Sequence, residues 1–250
     1  LARAPFEQEG QNWWGINSSG SAMYITEIFN SIQGEGTRAG LPCIFIRLTG
    51  CNLRCTWCDT AYAFHGGMKM SVEDVVAQVD SFSGRTDGKL AAVQLVELTG
   101  GEPLLQEEIY PLADRLLSRG YSVMIETSGE RFIGRLPKQV VKIVDVKCPD
   151  SGEPGTFELR NLSELTPDDE VKFVISSRTD YEFARQFVSD HQLAGRVNEI
   201  LFSPVHDDPR GNWKGLEARV LVDWILQDRL PVRLSLQLHK IVWDPVTKGV

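Results

Sequence analysis

Cys51, Cys55 and Cys58 stand at positions i, i+4 and i+7 of one short segment, Gly50-Cys51-Asn52-Leu53-Arg54-Cys55-Thr56-Trp57-Cys58-Asp59-Thr60. Three thiols this close suit a metal centre better than a disulfide framework. They converge only if the segment forms a tight loop on a rigid support. The support is the run Cys43-Ile44-Phe45-Ile46-Arg47-Leu48, which reads as a buried strand delivering the loop at its end. Soft thiolates select zinc, Cu(I) or iron–sulfur clusters. A closed zinc site and an electron-carrying cluster each want four ligands, and the motif supplies three. Two readings follow. One is a zinc knuckle completed by a distant ligand such as Cys43, Cys148 or a histidine. The other is a four-iron cluster with one iron left open to a substrate or cofactor.

The rest of the chain repeats a strand-then-helix pattern. Residues 24–29, 43–48, 91–98, 121–125, 140–146, 169–176, 198–202 and 232–238 read as strands. Helices are expected from 72, over 109–119, over 180–191 and over 216–227, with Ser71 and Asp74 as an N-terminal cap. Residues 31–36 read as a glycine-punctuated loop. Such alternation implies βαβ units, a parallel sheet and right-handed crossovers. The Gly- and Pro-rich motifs fall after strands, at the carboxyl edge where α/β barrels carry their sites. Fewer than eight full units predict an α/β fold of the incomplete, partial TIM-barrel type. Residues 1–22 lack periodicity and are expected to be an irregular N-terminal extension. Residues 23–250 are expected to be one domain.

Net charge is −8 over 250 residues, which argues against a nucleic-acid partner. No run approaches the roughly 18 apolar residues that cross a membrane. Free thiolates imply a reducing compartment, so the cytoplasm is the expected location. Four motifs sit at strand ends: Thr99-Gly100-Gly101-Glu102-Pro103, Glu126, Asp145-Val146-Lys147 and Ser203-Pro204-Val205-His206. Glycine pairs admit close backbone approach to a ligand, though a plain strand-to-helix turn uses them too. An exposed Asp–Lys pair by itself is worth under about 1 kcal/mol.

The cysteine spacing resembles that of the radical S-adenosylmethionine superfamily, whose open iron chelates the cofactor and whose cluster cleaves it to a 5′-deoxyadenosyl radical. Five features together resemble 7-carboxy-7-deazaguanine synthases over roughly residues 24–245. They are Ile32-Gln33-Gly34-Glu35-Gly36, Arg47, Asp59-Thr60, Thr99-Gly100-Gly101-Glu102-Pro103 and Gln237-Leu238-His239-Lys240. The resemblance implies conversion of 6-carboxy-5,6,7,8-tetrahydropterin to 7-carboxy-7-deazaguanine, with loss of ammonia, in queuosine and 7-deazapurine biosynthesis. It implies a [4Fe-4S] cluster on Cys51, Cys55 and Cys58, S-adenosylmethionine, and Mg2+ at Thr60. It places Trp57, Cys58, Asp59, Gly101, Glu102, Glu126, Asp145, Val146, Lys147, Ser203, Pro204, Val205 and His206 along the cofactor. Ile32, Gln33, Gly34, Glu35, Arg47, Thr99, Gln237, His239 and Pro245 fall to the substrate. Arg47 suits its carboxylate through a planar fork, and Gln33 offers a donor and an acceptor to a pterin edge. Residues 246–250 continue past the usual end of the pattern, which puts Pro245 in question. A reductant such as flavodoxin or ferredoxin and a homodimer are further implications. Two other functions remain: an activase making a glycyl radical on a partner enzyme, and a non-enzymatic zinc or iron–sulfur scaffold.

Overall fold

The computed structural model describes residues 22–85 and 92–250. The expected extension therefore lies outside the described residues, apart from Ala22, which already belongs to the first strand. The elements run β1 (Ala22–Ile32), β2 (Pro42–Leu48), β3 (Met68–Ser71), α1 (Val72–Phe82), β4 (Leu95–Gly100), α2 (Ile109–Ser118), β5 (Ser122–Thr127) and β6 (Val141–Asp145). They continue with α3 (Asn161–Glu164), β7 (Glu170–Ile175), α4 (Arg178–Asp190), β8 (Glu199–Pro204), α5 (Ala218–Asp228), β9 (Arg233–Leu234) and α6 (His239–Val242). One sheet takes the order β3-β1-β2-β4-β5-β6-β7-β8-β9. Pairing is parallel from β2 through β9. The described end strands β3 and β9 are not neighbours, so the barrel is open, as expected.

One edge departs from the all-parallel expectation. β1 pairs antiparallel with β2, and β3 antiparallel with β1. The reason is the connection: residues 33–41 are too few for a crossover, which needs a dozen or more. β1 also runs through Ser31 and Ile32, expected in the loop, because they find partners in Cys43 and Pro42. The last strand is cut short. Only Arg233 and Leu234 pair with β8. Ser235 N–H still reaches the Phe202 carbonyl at 2.9 Å, but Leu238 N–H turns away to the Gly34 carbonyl, also at 2.9 Å.

The α1 start is as read. Ser71 Oγ accepts from Asp74 N–H at 3.2 Å, and Asp74 returns the bond to Ser71 N–H at 3.2 Å. Val75, Val76 and Val79 of α1 and Leu112, Ala113 and Leu116 of α2 bury themselves on Ile44, Ile46, Leu48, Val96, Leu98 and Ile125 of the sheet. α4 and α5 cover the far half through Tyr181, Ala184, Val188, Leu221 and Ile225, on Val171, Phe173, Ile175, Ile200 and Phe202.

Strand side chains alternate between faces, so the other residues of the same strands look into the barrel. At its amino end they are apolar: Cys43, Phe45, Leu95, Met124, Ile143 and Leu201 pack together. Toward the carboxyl end the same rows turn polar and line a cavity of about 430 Å3, with Arg47, Glu97, Thr99, Glu126, Asp145 and Lys172. The loop after β1 crosses this inner space and ties the two ends of the sheet together. Gly36 N–H donates to Ser235 Oγ at 3.1 Å, and the Thr37 hydroxyl donates to Glu170 of β7.

Candidate active site

The cysteine loop leaves β2 at the cavity mouth and is pinned from outside. Thr56 N–H bonds the Ser151 carbonyl at 2.8 Å, and Arg54 N–H bonds Glu153 Oε1 at 2.6 Å. Arg54 also reaches the Cys51 and Leu53 carbonyls at 2.8 and 2.6 Å and stacks on Phe64. The three thiols are free, half-buried and line the same cavity. Burial raises each of their pKa values, that of Cys55 to about 11. In Cys55 and Cys58 the neighbouring sulfurs add to the rise, while the Lys147 ammonium opposes it. Among the described residues no three His, Cys, Asp or Glu side chains gather tightly enough for a single ion. Cys43 is fully buried in the amino-end apolar layer, and Cys148 in the outer core under α4, so neither serves as a fourth ligand. Three thiols free of disulfides around one cavity, with Cys43 and Cys148 buried elsewhere, fit a polynuclear cluster with an open corner better than a zinc knuckle completed by another cysteine.

Gly100 and Gly101 are needed where the ends of β2 and β4 meet. Glu102 N–H bonds the Gly50 carbonyl at 2.8 Å. A Cβ on Gly101 would collide with that carbonyl and stand 2.7 Å from Cys51 Cβ. The backbone beside the thiols is thereby left bare toward the cavity. Glu102 does not line the cavity, contrary to its expected cofactor contact. It is fully buried, and its carboxylate accepts from Leu104 N–H, Thr127 Oγ1, Ser128 N–H and Ser128 Oγ at 3.0, 2.8, 2.8 and 2.6 Å. It braces the ends of β4 and β5. Three further expected cofactor residues also lie outside the lining. Val146 belongs to the outer core, because alternation turns it away while Asp145 and Lys147 face in. Ser203 is buried and donates to the Ser235 carbonyl at 2.8 Å. Pro204 ends β8 and does not face the cavity, whereas Val205 and His206 do. Trp57, Asp59, Gly101, Glu126, Asp145 and Lys147 all line it.

Every expected substrate residue is on the wall: Ile32, Gln33, Gly34, Glu35, Arg47, Thr99, Gln237, His239 and Pro245, together with residues 246–250. Gln33 is not free to greet a pterin edge, however. Its amide donates to Glu97 and accepts from Glu35 N–H at 2.9 Å. The charges are organised around Lys172, whose Nζ lies 2.6 Å from both Glu35 and Glu126. Burial alone would lower the Lys172 pKa, but Glu126 and Glu35 outweigh it and raise it well above the ordinary value. Burial opposes ionisation of Glu35 too, and Lys172 with His239 overcomes it. Among the described residues Glu97 forms no ion pair. Burial, then Glu126 and Glu35, push its carboxyl well above the usual range, against the pull of Lys172 and Arg47. A second chain of contacts runs on from Glu35. Gln237 Nε2 donates to it at 2.9 Å, Lys240 Nζ bonds Gln237 Oε1 at 2.8 Å and pairs with Asp59 at 2.5 Å. Thr60 Oγ1 donates to Asp59 Oδ1 at 2.9 Å.

Sequence reasoning missed Glu97, Lys172, Glu27 and Tyr62. The first two sit mid-strand, and the signal was available: a charged residue inside an apolar run that must still face inward, as in Val96-Glu97-Leu98 and Val171-Lys172-Phe173.

The radical SAM superfamily signature matches residues 45–147, the span from β2 through the end of β6. A 7-carboxy-7-deazaguanine synthase of Koribacter versatilis is 54% identical, over 91% of this chain and all of the relative. One from Chlorobaculum tepidum is 39% identical, over 93% of this chain and all of the relative. The crystal structure of QueE from Escherichia coli superposes with a TM-score of 0.67 at 26% identity, covering 86% of this chain and 94% of that one. Thiol loop, bare glycine backbone, inward charges and full-length kinship agree, and the chain belongs to the 7-carboxy-7-deazaguanine synthase family of radical SAM enzymes.

Proposed function

We propose that this chain converts 6-carboxy-5,6,7,8-tetrahydropterin to 7-carboxy-7-deazaguanine with release of ammonia, in 7-deazapurine biosynthesis. The observation that carries the reading is one cavity with two unlike sets of groups on its wall: three free thiols with the Gly101 backbone, and Arg47, Glu35, Gln237 and His239. Cys51, Cys55 and Cys58 would hold the cluster, which when bound with S-adenosylmethionine supplies the one-electron chemistry that starts the reaction. The protein's part is placement. Gly101, Glu126, Asp145 and Lys147 border the cofactor's space, and Lys172 fixes both Glu126 and Glu35. Arg47 meets the substrate carboxylate. Thr60 and that carboxylate are the hard oxygens for Mg2+, which takes few protein ligands and keeps water. The inner apolar layer below excludes solvent from the reacting ring.

A reductant of the flavodoxin or ferredoxin type, a homodimer and a cytoplasmic setting complete the reading. Among the described residues no helix is long and apolar enough to cross a membrane. The test is anaerobic incubation of the reconstituted protein with the carboxypterin, S-adenosylmethionine and dithionite. Deazapurine absorbance is expected, with a magnesium response that Thr60→Ala weakens. A colourless, zinc-holding protein with no turnover would overturn the assignment.

A further inference from the structure

Arg47 does not stand alone on the cavity wall. Its Nε donates to Glu27 Oε1 at 2.7 Å, and Tyr62 donates its hydroxyl to the same oxygen at 2.7 Å. The guanidinium carbon lies 5.9 Å from the ring centroids of both Phe29 and Tyr62. Glu27 and Phe29 come from β1, Arg47 from β2 and Tyr62 from the turn Ala61–Phe64 that ends the cysteine loop. Two paired strands and a turn thus converge on one side chain.

A guanidinium can offer a carboxylate its Nε side or its two-nitrogen end. Here Nε is taken, and the two rings flank the guanidinium. What remains is the end-on fork. We infer that Glu27 and Tyr62 are positioning residues that turn Arg47 end-on to the cavity and so set selectivity for a substrate carrying a carboxylate. This rests on the pterin-acid reading above. Glu27 works through accepted hydrogen bonds, not through its charge, because a negative charge beside an incoming carboxylate would by itself oppose binding. Tyr62 keeps Glu27 turned toward Nε and is itself covered by Lys248, whose ammonium lies 4.2 Å from the ring centroid.

The mechanism separates the conservative variant from the deletion. Glu27→Gln retains an oxygen that can accept from both Arg47 and Tyr62; Glu27→Ala does not. Steady-state kinetics with the carboxypterin are expected to show KM raised roughly tenfold in Glu27→Ala, the scale of one charge-assisted hydrogen bond, with kcat changed far less. Tyr62→Phe should raise KM several-fold, and Glu27→Gln should stay within about twofold of the parent. Equilibrium binding of tetrahydropterin lacking the carboxylate should be equal in all four proteins. If Glu27→Gln is as impaired as Glu27→Ala, charge is the operative property and the inference falls. If the analogue without a carboxylate loses affinity equally, the role is merely structural and the inference also falls. Failure of the parent protein to bind either pterin would overturn the functional reading itself, and this inference with it.

Discussion

Glu97 shows how much one buried side chain can decide. It is 3% exposed, bonded to Gln33, and flanked by Glu35 and Glu126, which claim Lys172 between them. Its pKa in the folded chain lies well above the ordinary carboxylate value of 4.5. The unfolded chain therefore ionises first as pH rises past about 4.5, and the folded state holds its proton longer. Stability falls with rising pH between the two values. Glu97→Gln keeps the shape and removes the titration. The variant should lose less stability than the parent between pH 5 and 8, as read from urea midpoints; parallel curves would show that Glu97 is ionised in both states. The residue itself was present in the sequence but silent. An acid in an apolar strand is ambiguous until its face is known, and the neighbours that raise its pKa come from the loop after β1 and from β5. Arg47, Thr99 and the three cysteines were legible because each sits beside a glycine or cysteine motif at a strand end. Glu102, Val146, Ser203 and Pro204 fell within the same motifs and yet turn away from the cavity, since a motif fixes position along the chain and alternation fixes direction.

At the level of elements, local chemistry was a good guide where it is complete within a few residues. The reciprocal Ser71–Asp74 bonds at the start of α1 were readable from two letters. Ser71→Ala removes one acceptor and loosens the other, which should cost about 1 kcal/mol in chemical denaturation without disturbing cluster content. An unchanged midpoint would mean that packing of Val75, Val76 and Val79 alone fixes the helix start. Elements defined by partners were not readable. β3 is four residues with one hydrophobic pair, Met68 and Met70, and exists because β1 offers it an open edge. The final strand looked long because Val232-Arg233-Leu234-Ser235-Leu236 alternates. The pull of Gly34 on Leu238, invisible in the local pattern, ends it after two residues.

For the molecule as a whole, the open barrel is held by polar bonds across its interior as well as by its two outer apolar layers. Lys172 of β7 joins the loop after β1 to the end of β5, through Glu35 and Glu126. Lys172→Met would leave two carboxylates in the cavity without their cation. Loss of one partner of a buried pair typically costs 3–5 kcal/mol. Because Glu126 is partly exposed, its side chain 31% accessible, the lower end, about 3 kcal/mol, is expected from the denaturation midpoint. A loss below about 1 kcal/mol would show that the two carboxylates are well solvated without the lysine.

The crossing loop has a temporal consequence. Gln237 meets Glu35 across 202 positions of sequence, and Leu238 meets Gly34 across a similar span. Residues 237 and 238 are made some two hundred positions after the loop they bind, with the rest of the sheet synthesised in between. That stretch of the cavity wall therefore closes only once the strands from β2 through β9 have all emerged, and the two halves of the site mature at different times on the ribosome.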